Sequence, residues 1–173
     1  MAEDTGRPVR RDVEVVTAQL GREPRGAWRV GVRCRFGYPQ VIVTAPSLGA
    51  TEPFPTLYWL TCPFLTREVG ALESGGGVAQ WAEELASDAA LAGRQTAADA
   101  AYRDARAREA GGADPCEAVG VAGQRDPLAT KCLHAHAAAF LAGIDDPAGA
   151  HVIGETGDAC EDAECSRRVA EEG

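Results

Sequence analysis

Two histidines, a cysteine and the only lysine of the chain fall within six residues, Lys131-Cys132-Leu133-His134-Ala135-His136. Thiolate and imidazole are the ligands that zinc prefers. All other basic residues are arginine, so a lone lysine beside a thiol and two imidazoles points to a place that needs a compact ammonium. Cys34 and Cys62 fall at or near the ends of stretches that read as strands. Cys34, Cys62 and Cys132, with either His134 or His136, would complete a Cys3His zinc set. Cys132 and His136 are four apart and share a helical face; Cys132 and His134 do not, unless the helix begins between them. No pair of cysteines has CxxC spacing, so the expectation rests on thiols converging from separate elements. An iron–sulfur cluster with Cys160 as a fourth thiolate is a variant of it. The competing reading makes the cysteines small apolar core residues, as free cysteines often are.

Two further chemistries are open. Cys62 stands just before Pro63, at the start of a helix whose dipole would lower a thiol pKa. With His134 or His136 as base it would be a nucleophile. Separately, Arg22, Arg25, Arg33 and Lys131 would make an anion site, because guanidinium groups suit phosphate and carboxylate; the alternative is a solvated basic face. There is neither a GxxxxGK[ST] nor a GxGxxG loop, which argues against nucleotide hydrolysis and dinucleotide binding.

The elements that must position these groups follow from pattern. Asp12 caps a helix with Val13, Val16 and Leu20 at helical spacing, ended by Gly21. Trp28, Val30, Val32, Cys34 and Phe36 alternate with polar residues, a half-buried strand over 27–36. Strands over 40–45 and 56–62 follow, and the three are expected as an antiparallel meander. Pro63 opens a helix that the run Gly75-Gly76-Gly77 breaks. A short helix covers 78–86. Ser87 or Asp88 caps a long Ala-rich helix to about Ala110, whose apolar periodicity is weak enough to suggest loose packing. Residues 111–126 are a Gly-rich loop holding Cys116. Pro127 is expected to open the helix that carries the Cys-His run, closed by Gly143. The fold expected is α+β, a small antiparallel three-stranded sheet covered by helices. It comprises a disordered stretch at 1–10, one domain over 11–154, and a disordered acidic tail over 155–173 in which Cys160 and Cys165 are incidental.

The net charge of −9 is uneven. Residues 1–35 hold eight arginines against five acids, and the remainder holds nine basic residues against 21 acids. An acidic body argues against nucleic-acid binding. No apolar run approaches the roughly 18 residues that span a bilayer, and the start of the chain lacks an apolar signal core. The expected location is cytoplasmic, where cysteines serve metals or stay free rather than forming disulfides.

The blocks QLGREPRG, VRCRFGYP, TAPSL, PFPTLYWLTCP, KCLHAH and DDPAG, in this order over residues 12–150, resemble the actinobacterial DUF501 family. The resemblance implies no established activity. It implies a gene context near a septum-formation initiator and an exopolyphosphatase, hence a link to envelope growth or phosphate metabolism. The family pattern places a further histidine later in the helix, where this chain has Ala139 and instead carries His136, so the match bears on Cys132 and His134. The function expected is a zinc-stabilised binding or regulatory module with a small anionic ligand or a protein partner. The alternative is an enzyme acting on a small anionic substrate through a Cys/His or open metal site.

Overall fold

The computed structural model describes residues 10–49 and 52–171. They form α1 (Arg10–Leu20), β1 (Trp28–Arg33), β2 (Pro39–Thr44), β3 (Ser47–Leu48), β4 (Glu52–Pro53), β5 (Tyr58–Leu60), α2 (Pro63–Ser74), α3 (Gly77–Ser87), α4 (Ala89–Ala110), α5 (Leu133–Leu141), α6 (Pro147–Thr156) and α7 (Glu164–Glu171). The expectation for residues 1–9 lies outside the described residues. Arg10 already belongs to α1.

The main sheet is an antiparallel meander in the order β1-β2-β5, with Val30 opposite Ile42 and Ile42 opposite Trp59. The fold is therefore α+β, as the alternation of 27–36 and the Val/Ile run of 40–45 require. Every residue of β2 is buried, because the strand is central and helices cover it. Val41 packs with Leu65 and Val69 of α2 and Leu133 and Ala137 of α5. Val43 packs with Tyr102 of α4. Helix α5 crosses α6 closely at Gly149, where a Cβ would stand only 2.2 Å from the His136 carbonyl oxygen and 2.5 Å from Phe140 Cβ. Glycine is needed there for contact and not for backbone freedom. No helix among the described residues is long and apolar enough to cross a membrane.

Three sequence expectations change. First, α4 is not loosely packed. Its weak apolar stripe reflects a polar inward face: Arg106 is fully buried and donates to Asp114 Oδ2 at 2.8 Å and to the carbonyls of Pro55, Cys116 and Val119. Second, the Cys-His helix begins at Leu133 and not at Pro127. Asp126 Oδ1 accepts the Leu128 N–H at 2.9 Å, a local turn that competes with helix, and Cys132 is an extended N-cap residue (φ −153°, ψ 111°). Third, residues 155–171 are not a frayed tail, and 172–173 lie outside the described residues. Residues 155–171 supply the end of α6 and all of α7, which packs on α1 and α2, and Cys160 and Cys165 are buried.

Candidate functional site

The late start of α5 decides the geometry. With Cys132 extended and Leu133 the first helical residue, residues 132 and 134 turn to the same side. One ligand atom each of Cys132, His134 and Glu73 lie within 4.8 Å of one another. This group could hold a metal ion, and all three side chains are half-buried. Glu73 sits in the last turn of α2. Its Oε1 accepts the Leu133 N–H at 2.6 Å, which ties the end of α2 to the start of α5.

The histidine is oriented by the main chain. His134 Nε2 lies 3.0 Å from the Thr66 carbonyl oxygen. A carbonyl only accepts, so Nε2 carries a proton. Nδ1 stands 3.2 Å from Glu73 Oε1. The hydrogen bond to Cys132, the Thr66 carbonyl and the Glu73 carboxylate together pull the imidazole up to about 9 against partial burial. In a thiol–imidazole–carboxylate triad the nucleophile and the acid occupy opposite ring nitrogens. Here one nitrogen is fixed by a carbonyl and the carboxylate stands at the other. That is the arrangement of a metal-ligating histidine, whose second N–H is held by a backbone carbonyl to set the tautomer.

Cys132 and His134 also line a cleft of about 490 Å³, with Gln19, Leu20, Tyr58, Trp59 and Leu60 on its walls. The size suits a small ligand.

The remaining predicted residues lie elsewhere. His136 is buried, its Nδ1 2.7 Å from Asp146 Oδ2, in a network with Gln95 that caps α6. It belongs to the α5–α6 interface. Cys62 is the N-cap of α2 and Glu73 lies 11 residues on, about 16 Å along the helix axis, so Cys62 and Glu73 cannot share one ion. The expected Cys3His set of Cys34, Cys62, Cys132 and a histidine is therefore not assembled. Nor is Cys62 an activated nucleophile: burial pushes its thiol up to about 11, outweighing the pull of the Leu65 and Phe64 amides. The four expected anion residues do not converge. Arg25 pairs with Glu52 at 3.4 Å. Arg33 forms a two-pronged pair with buried Asp12, at 2.8 and 3.0 Å, beside a different recess. Arg22 lies 5.6 Å over the ring of Trp59, a wall of the cleft. Lys131 is exposed next to Cys132.

Sequence reasoning missed Glu73. Its one signal was a carboxylate in the last turn of a helix, where the dipole disfavours negative charge.

A model of the family described as "Protein of unknown function (DUF501)" matches residues 30–156. The chain belongs to this family. The match takes in Glu73, Cys132 and His134 and stops short of Cys160 and Cys165. No curated protein and no solved structure matches the chain.

Proposed function

We propose that this chain binds a zinc ion between Glu73, Cys132 and His134 and uses its open coordination position on a small ligand held in the adjacent cleft. The observation that carries this reading is the orientation of His134: Nε2 is tied to the Thr66 carbonyl, Glu73 stands at Nδ1, and a ligand atom of Cys132 lies within 4.8 Å of both partners. Thiolate and imidazole select zinc over magnesium or calcium. Three protein ligands with a vacant fourth position are the pattern of catalytic zinc, and four ligands that of structural zinc. This favours an enzyme over the closed module: Glu73, Cys132 and His134 would hold the ion, which would supply Lewis-acid chemistry to a substrate head group. The walls formed by Leu20, Tyr58, Trp59 and Leu60 suit an apolar body. Arg22 on Trp59 and Lys131 beside Cys132 suit an anionic head, such as a carboxylate or phosphate.

One observation favours the binding or regulatory module as a second reading. Glu73 already joins α2 to α5 through Leu133, so an ion there would brace the fold whether or not it reacts.

Cobalt(II) in place of zinc separates the two. An open site changes its visible ligand-field bands when acetohydroxamate or inorganic phosphate is added, and His134→Ala abolishes the response. A cobalt centre lost in His134→Ala but unmoved by either anion would assign the ion to the closed module.

A further inference from the structure

Four of the six cysteines, set apart from the cleft, are drawn together at the other end of α2. Cys34 follows β1, Cys62 caps α2, Cys160 lies in the loop after α6, and Cys165 is in the first turn of α7. Hydrogen bonds hold these four places against one another. The Gln40 carbonyl accepts the Thr61 and Cys62 N–H groups at 2.9 and 3.3 Å, while its side chain donates to the Asp158 carbonyl. Arg35, next to Cys34, donates to the Cys160 carbonyl. Gln19 Nε2 donates both to the Pro39 carbonyl at 2.7 Å and to Cys165 Sγ at 3.2 Å. The Cys62 thiol is within electrostatic reach of those of Cys165 and Cys160, and the Cys165 thiol within reach of those of Cys34 and Cys160. Cys62, Cys160 and Cys165 are each buried, and none of the four is in a disulfide.

The composition of the last segment makes this convergence significant. Besides its two cysteines, the stretch 157–171 has a single apolar side chain larger than alanine, Val169. Hydrophobic burial on that scale, about 2 kcal/mol for one valine, does not offset the ordering of 15 residues at roughly 1 kcal/mol or more each. The stretch also contains Ala163 at φ 52°, a left-handed conformation that costs a non-glycine residue about 1 kcal/mol. Yet it docks, with both thiols facing inward. A metal would supply the missing stabilisation, since its binding free energy becomes folding free energy.

We propose that Cys34, Cys62, Cys160 and Cys165 form a second, thiolate-only metal centre that fastens α7 to the sheet and takes a thiophilic metal, as a zinc ion or an iron–sulfur cluster. This centre is independent of the cleft site. Tetrahedral zinc sets its thiolates about 3.8 Å apart, from Zn–S bonds near 2.3 Å. No three of these four thiols lie within 4.8 Å of one another, so a single ion would draw them inward. A cluster of several irons accommodates a wider set. Cys34 on a turn and Cys160 in a loop are placed to adjust.

The full chain, purified without air, tests this. The proposal expects metal that remains in His134→Ala and is lost in Cys160→Ser and Cys165→Ser. Zinc gives a colourless protein. A cluster gives broad visible absorption, acid-labile sulfide and bleaching by dithionite. Metal content equal in wild type and in both cysteine variants would overturn the proposal, as would a disulfide among these residues in unreduced protein. Should the variants fail to fold, native wild type answers by alkylation and mass spectrometry. Half-exposed Cys34 should stay protected until the metal is stripped, by chelator for zinc or by air for a cluster. Labelling of Cys34 at the same rate before and after stripping would overturn it.

Discussion

Cys62 and Glu73 mark the two ends of helix α2, and each belongs to a different group of potential ligands. Cys62 is tied to β2 through the Gln40 carbonyl and lies near Cys160 and Cys165 of the C-terminal segment. Glu73 faces the start of α5. One helix thus keeps apart residues that the sequence invites one to combine, and changes at its two ends are expected to act independently.

Glu73→Gln is the mildest change at the cleft site. The amide oxygen can still accept the Leu133 N–H, so α5 keeps its tie and stability falls by about 1 kcal/mol or less. The charge is gone, and zinc affinity should fall roughly tenfold or more. Competition with a chromophoric chelator checks this. Unchanged affinity would remove Glu73 from the ligand set.

Metal-free protein should show the titration of His134. Its hydrogen bond to Cys132, then the Thr66 carbonyl and Glu73, raise it from 6.5 to about 9. A group with a raised folded pKa contributes stability that is fully present below about 6.5 and lost as pH rises through about 9. Denaturant unfolding of chelated protein should weaken across that window, and His134→Gln should flatten the slope. Zinc displaces the same proton, so zinc affinity should rise over the same range.

Deleting 157–173 should lower the melting temperature by several degrees, the scale of about 1–3 kcal/mol in a domain of this size. The deletion takes away buried Cys160 and Cys165 and the acceptors of Gln40 and Arg35. An unchanged melting temperature would return the segment to the frayed tail that its composition suggests.

Arg106→Met should cost about 3–5 kcal/mol. The substitution leaves buried Asp114 without its partner and strips donors from three carbonyls. Thermal or urea unfolding reads this directly; a loss below about 1 kcal/mol would mean that α4 packs without its polar face.

The meander, α1, α2, α3 and α4 are legible in the sequence because each has a local signal: alternation at 28–36, Pro63 and the triple glycine around α2, Asp88 accepting the Ala90 and Leu91 N–H groups before α4. The site is legible only in part. Cys132 and His134 stand out by type and spacing. Their meeting depends on where α5 begins, and an Asx turn at Asp126 sets that boundary against the helical signal of Pro127. Glu73 becomes a partner only through the packing of α2 on α5, which no local pattern encodes. The polar C-terminal segment reads as disordered because its contacts run through Gln40, Arg35 and Gln19, 118 to 146 residues away in sequence.

The most direct test of the cleft centre is a crystal of the zinc-loaded protein with anomalous data on both sides of the zinc absorption edge. The expected result is a peak about 2.0–2.3 Å from Cys132 Sγ, His134 Nδ1 and a Glu73 oxygen, with Nε2 still on the Thr66 carbonyl and one coordination position turned to the cleft. No peak between these three side chains at full zinc loading, or a peak bound through His134 Nε2, would contradict it.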